Sequence, residues 1–134
     1  SMGEYIASQL VKEMLRRNVH VQGARVLILG LAFKENCPDI RNTRVVDVIS
    51  ELEEFGAEID VFDPWVNPSK AKIEFQITPL QSPKIGYYDA IILAVAHNQF
   101  KAMGASAVRE FGKRGAIFYD LKYAFSLHES DMRL

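Results

Sequence analysis

Two short runs of branched apolar residues, Val26-Leu27-Ile28-Leu29 and Ala90-Ile91-Ile92-Leu93-Ala94-Val95, constrain this chain more than anything else in it. Neither alternates with polar residues, so neither suits a sheet with one face in water. Each reads as a strand covered on both faces, the situation of a strand in a parallel sheet flanked by helices. Parallel neighbours need crossover connections long enough to hold a helix, and helical periods do separate the runs.

Ile6, Leu10, Val11, Met14 and Leu15 recur at helical spacing, with Glu4, Lys12, Arg16 and Arg17 elsewhere on the wheel, which predicts an amphipathic helix ending near Asn18. After the first strand, Asn42 or Thr43 offers an N-cap oxygen to a helix with apolar face Val45, Val46, Val48, Ile49, Leu52 and Phe55, stopped by Gly56. Ile59 to Asp63 reads as a second strand ended by Pro64, and Ile73 to Ile77, alternating with Glu74 and Gln76, as a weaker third. The run from Asp89 to Val95 follows. A helix with Phe100, Met103, Ala107, Val108 and Phe111 on one side then leads to a last strand, Ala116 to Asp120. Strands and helices alternate, which predicts an α/β fold: a Rossmann-like, doubly wound parallel sheet in three layers, with ligands meeting the carboxyl ends of the strands. The polar tail from Ser126 to Leu134 is expected to be mobile.

At 134 residues, 49% hydrophobic and 25% charged, the chain suits one core. A net charge of −1 with scattered basic residues provides no bulk attraction for nucleic acid or for a membrane surface, so any anion must be met locally. The lone Cys37 excludes an internal disulfide and leaves a metal cluster short of soft ligands, which fits a reducing cytoplasm and no metal site. No apolar run approaches the roughly 20 residues of a membrane span, and the first residues lack a signal-peptide pattern. Ser1 ahead of Met2 reads as a cloning remnant, so the chain is expected to be a piece of a longer protein.

The chemistry concentrates in Gly30 to Arg44, GLAFKENCPDIRNTR, which lies after the first strand and before a helix. It lacks a dinucleotide fingerprint, because Gly30 stands alone and Ala32 and Lys34 occupy places where glycines would admit a pyrophosphate. It offers instead three cations within eleven residues, Lys34, Arg41 and Arg44, beside a helix N-terminus, which suits a phosphate-bearing ligand. The alternative is a set of ordinary surface cations, with Arg41 paired to Asp39 or Asp47.

The same stretch resembles the C-terminal domain of the UDP-glucose and GDP-mannose dehydrogenase family, whose members share Gly-x-Ala-Phe-Lys followed three residues on by Thr-Asp-Asp-x-Arg. Here these read Gly30-Leu31-Ala32-Phe33-Lys34 and Cys37-Pro38-Asp39-Ile40-Arg41. Met2-Gly3-x-Tyr5, Asp63-Pro64, Ala96-His97 and Asp120 match in register, so the resemblance spans nearly the whole chain. The cysteine-proline variant, with Asp63-Pro64-Trp65, looks most like the branch that oxidises UDP-N-acetylhexosamines for surface polysaccharides.

The resemblance implies a two-step oxidation of the sugar C6 alcohol to a carboxylate with NAD, through a thiohemiacetal on a cysteine that precedes this segment in the family. Cys37 stands at the family's threonine and is not that nucleophile, so no catalytic residue is expected here and the chain alone should be inactive. By the same carry-over, residues 1–19 are the end of the central linker helix and 20–134 the UDP-sugar-binding domain. Phe33, Lys34 and Lys122 would contact the UDP-sugar, Arg41 would reach NAD, and the full-length protein would be a homodimer. Asp63 more naturally caps a turn than binds a ribose, His97 is placed to cap the next helix or line the cleft, and Trp65 to pack or meet an interface. The rival readings are a UDP-glucose or GDP-mannose dehydrogenase domain and a non-enzymatic nucleotide-binding module.

Overall fold

In the computed structural model, which describes all residues 1–134, the first apolar run forms β1 (Arg25–Leu29) inside a sheet of five parallel strands ordered β2-β1-β3-β4-β5. The elements in chain order are α1 (Met2–Arg16), β1, α2 (Val45–Glu54), β2 (Glu58–Phe62), α3 (Pro68–Phe75), β3 (Tyr88–Leu93), α4 (Asn98–Met103), α5 (Ala105–Arg109), β4 (Gly112–Asp120), a 3-10 turn (Leu127–Glu129) and β5 (Met132–Arg133).

The absence of alternation in β1 has the cause the sequence suggests. Val26 and Ile28 join the larger core under α1 and α2, while Leu27 and Leu29 join a second core with Phe100, Val108 and Phe111 on the opposite face. Ala90 and Ile92 of β3 divide from Ile91 and Leu93 in the same way, giving three layers. On the first face α1 and α2 approach so closely that a Cβ on Gly3 would lie 2.7 Å from that of Asp47. β1 pairs with β2 on one side and β3 on the other, so the loops leaving the carboxyl ends of β1 and β3 diverge and open a crevice.

Three expectations need correction. Ile73–Ile77 is not a strand: residues 68–75 are α3, started by Asn67, whose Oδ1 accepts the Ser69 and Lys70 amides at 2.9 and 3.3 Å, and stopped by Gln76 in the left-handed region. The alternating pattern misled because Ile73 is 78% exposed and Ala71 is the buried contact. The single helix expected from Phe100 to Phe111 breaks at Gly104, φ +82°, into α4 and α5. The tail is ordered: Ser126 and Glu129 form a capping box, and β5 adds to β4, with Asp131 accepting the Phe118 amide at 2.8 Å and Arg109 Nη1 at 3.0 Å.

Candidate functional site

Gly30 turns the chain off β1 with φ +103°, and a Cβ there would meet that of Val95 at 2.6 Å, so the loops after β1 and β3 touch at a position only glycine fits. Beyond that point a cavity of about 420 Å³ opens above the sheet. Its floor includes Ile28 of β1 and Ile92 of β3, and its walls come from the loops after β1, β3 and β4 and from the starts of α1 and α2. The crevice thus lies where an open parallel sheet receives its ligand.

Phe33, Lys34 and Lys122, expected to contact one ligand, all line this cavity although Lys122 lies 88 residues after Lys34. Arg44 joins them from the N-terminal end of α2. None of Lys34, Arg44 and Lys122 makes an ion pair with a side chain of the protein, so three unpaired cations line one hollow, with Glu35 the acid beside them. Phe33 is 52% exposed, an apolar ring held in water at the rim. The sequence places Arg44 among three cations suited to a phosphate but assigns it to neither the sugar nucleotide nor NAD; its position at the start of α2 brings it into the cavity. The side-chain cap expected from Asn42 or Thr43 is not formed: the helix starts at Val45 with Arg44 in the cap position and no capping side chain, while the Thr43 hydroxyl oxygen, two residues before Val45, accepts its amide at 3.3 Å.

Arg41 stands apart. It does not line the cavity, and its exposed guanidinium makes a two-pronged pair with Asp39, Nε to Oδ1 and Nη2 to Oδ2, both at 3.0 Å. The hydrogen bonds from that guanidinium and from the Arg41 amide hold the Asp39 carboxyl down at about 2. Cys37 is half-buried and likewise outside the cavity.

The loop's other side is fixed by groups 31 to 62 positions away in sequence. Asp63, at the end of β2, has no exposed side-chain surface. Its Oδ2 accepts the Leu31 amide at 2.6 Å, the Ala32 amide at 2.9 Å and His97 Nε2 at 2.9 Å, while Oδ1 accepts the Trp65 amide at 2.8 Å. Burial opposes its ionisation, but the His97 bond and the three amides outweigh it and hold the carboxyl below its ordinary range. Asp63 therefore caps the turn into Trp65, as expected, and also anchors the loop after β1. His97 gives no side-chain cap to α4; it is fully buried, with Nδ1 accepting the Asn36 amide at 2.9 Å. Trp65 packs 6.2 Å from the His97 ring and donates Nε1–H to Gln99. Asp120 does the corresponding service at the end of β4, its buried carboxylate accepting the amides of Lys122, Ala124 and Phe125 at 3.0 to 3.2 Å.

The amides nearest β1 are thereby consumed within the protein: Gly30 donates to the Phe62 carbonyl, Leu31 and Ala32 to Asp63, and Phe33 to the Asp39 carbonyl. Those of Lys34 and Glu35, two cavity residues, have no protein acceptor. A pyrophosphate therefore finds none of the free Gly-rich backbone of a dinucleotide site at the start of this loop. No three His, Cys, Asp or Glu side chains are grouped to hold a metal, and no helix is long and apolar enough to cross a membrane.

Comparison with known proteins agrees with this geometry. Residues 27–126 match the UDP-binding domain of the UDP-glucose/GDP-mannose dehydrogenase family. The chain is 57% identical over 133 residues to a UDP-N-acetyl-D-glucosamine 6-dehydrogenase of Pseudomonas aeruginosa, covering 99% of this chain and 32% of that protein. It is 49% identical over 134 residues to the enzyme of the same name from Salmonella typhi, covering all of this chain and 32% of the relative. A UDP-glucose dehydrogenase from the hyperthermophilic archaeon Pyrobaculum islandicum superposes with a TM-score of 0.72 at 29% identity, over 98% of this chain and 29% of that one. The chain thus spans about a third of the length of the curated relatives it matches. With the family match spanning most of its residues and falling on the sheet and loops that build the cavity, the chain belongs to the UDP-glucose/GDP-mannose dehydrogenase family, as its UDP-binding domain.

Proposed function

We propose that the chain is the C-terminal nucleotide-sugar-binding domain of an NAD-dependent UDP-sugar 6-dehydrogenase, one that oxidises the C6 alcohol of a UDP-N-acetylhexosamine to a carboxylate for surface polysaccharide synthesis in the cytoplasm. The observation that carries the reading is the convergence of Lys34, Arg44 and Lys122, all unpaired, with Phe33 in one cavity at the divergence of β1 and β3. A diphosphate is a compact dianion or trianion, and cations left without protein partners keep their full attraction for it. Phe33 offers a planar apolar surface to a base or sugar beside that charge. The N-acetylhexosamine assignment over UDP-glucose or GDP-mannose rests on the 57% and 49% identity to two UDP-N-acetyl-D-glucosamine 6-dehydrogenases.

In this reading residues 1–19 are the end of a central linker helix, 20–134 form the UDP-sugar-binding domain, and the full-length protein is a homodimer. NAD is held mainly by a domain outside these residues. The loop after β1 does not suit it, since its first amides are committed to Phe62, Asp63 and Asp39. Arg41, exposed and outside the cavity, is the one residue assigned to the cofactor, with its fork exchanging Asp39 for a pyrophosphate.

Titration of the chain with UDP, followed by amide shifts, tests the reading. Binding on the order of millimolar is expected, because one wall of a cleft leaves much of a ligand in water, and Lys34→Ala should weaken it at least about tenfold. UDP binding that is indifferent to Lys34, Arg44 and Lys122 alike would refute it.

A further inference from the structure

His97 does not line the 420 Å³ cavity and has no exposed surface, yet it is bonded to the loop that carries Lys34. Its Nδ1 accepts the Asn36 N–H at 2.9 Å, so that nitrogen bears no proton. Nε2, 2.9 Å from Asp63 Oδ2, therefore carries the ring proton and donates it to the carboxylate. The neutral ring is a link of fixed polarity, taking a hydrogen bond from the loop after β1 and giving one to the acid after β2. Asn36 ties the same point a second time, its Oδ1 accepting the Asn98 amide at 2.9 Å. The segment is thus clasped at both ends, by Asp63 at Leu31 and Ala32 and by His97 and Asn98 at Asn36, with Phe33 and Lys34 in the span between.

A lysine on an unclasped loop would lose backbone as well as side-chain freedom on meeting an anion, and the clasp removes the first of those costs before the ligand arrives. We propose that His97 is a positioning residue for the nucleotide-binding loop, holding Lys34 at the cavity through Asn36. This rests on the reading of the cavity as the UDP site. Lysine at position 34 supplies the contact; His97 acts only through it.

A double-mutant cycle on UDP affinity, measured by NMR titration of the chain, separates this role from simple support of the fold. His97→Gln can keep a donor within reach of Asp63 but leaves the Asn36 amide without its acceptor. It should weaken UDP binding about tenfold alone and by less than about twofold in the Lys34→Ala background, where the positioned cation is already gone. His97→Asn, whose side-chain oxygen can still reach the Asn36 amide, should restore part of the loss. Asn36→Gly removes the link to Asn98 without touching the buried pair, at a position whose φ of +55° glycine accepts, and should act in the same direction by about threefold. Should His97→Gln fail to fold, this variant tests the Asn36 end of the clasp by itself, and UDP affinity unchanged by it would overturn positioning through Asn36. Losses that add fully to that of Lys34→Ala would overturn the inference while leaving the cavity assignment standing. UDP binding unaffected by Lys34→Ala itself would overturn both.

Discussion

The loop between β1 and α2 has two sides of opposite character. Toward the cavity, Lys34, Arg44 and the amides of Lys34 and Glu35 are left without protein partners. Toward the interior, Asp63 has all its bonds made, to three amides and a ring nitrogen, and His97 uses both of its nitrogens. Burying a carboxylate is tolerable only with such complete pairing, whereas a cation meant for a ligand is useful only while unpaired and wet. The difference separates what holds the loop from what the loop holds out, in residues that composition alone would class together as charged.

Removing the interior side should have the largest effect. Asp63→Ala leaves three amides and His97 without their acceptor and should lower unfolding stability by about 3–5 kcal/mol, read from urea denaturation. Acid should act on the same group. Its carboxyl is held below the ordinary value, so the stabilisation is complete above about pH 4, where the unfolded group has ionised, and is lost as pH falls through the lower folded value. The stability of the wild-type chain should therefore decline as the pH drops below about 4, and Asp63→Asn should flatten that slope.

On the cavity side the effects should exchange places. Lys34→Ala should weaken UDP binding by about tenfold to a hundredfold, the range of a charge-assisted bond of about 1.5–3 kcal/mol, and change stability by no more than about 0.5 kcal/mol. Arg44→Ala and Lys122→Ala should follow in the same sense with smaller losses. A stability loss at Lys34 as large as that at Asp63 would erase the distinction between the two sides.

Arg41→Ala should be smallest in this chain, with UDP affinity unchanged within about twofold and stability within about 0.5 kcal/mol, since an exposed pair contributes little. In the full-length protein the same change should raise the KM for NAD about tenfold, which steady-state kinetics at saturating UDP-sugar would show.

The sheet was legible in the sequence because strands buried on both faces have no alternative to an apolar run, as Val26–Leu29 and Ala90–Leu93 show. α3 was not, since a short helix with one buried residue, Ala71, carries no apolar period. Its signal lay in the Asn67 cap and Pro68 behind it, which the alternation of Ile73 with Glu74 and Gln76 obscured. The tail was missed because Asp131 finds the Phe118 amide and Arg109 only once β4 is in place. Phe33, Lys34 and Lys122 could be named from their motif and strand ends. The Asp63–His97 bond could not: the sequence offers Asp63 as a turn cap and His97 as a helix cap or cleft residue, and only the order β2-β1-β3 brings the ends of β2 and β3 to either side of the β1 loop.

The central claim, that the cavity side of this loop is the nucleotide site, is tested most directly by mapping UDP onto the backbone amides of the chain by NMR. The amides of Phe33, Lys34, Arg44 and Lys122 should shift together with one affinity, while those of Arg41 and of residues 109–115 at the amino edge of β4 stay in place. Shifts centred on Arg41 and Asp39, or on that opposite edge of the sheet, would contradict it.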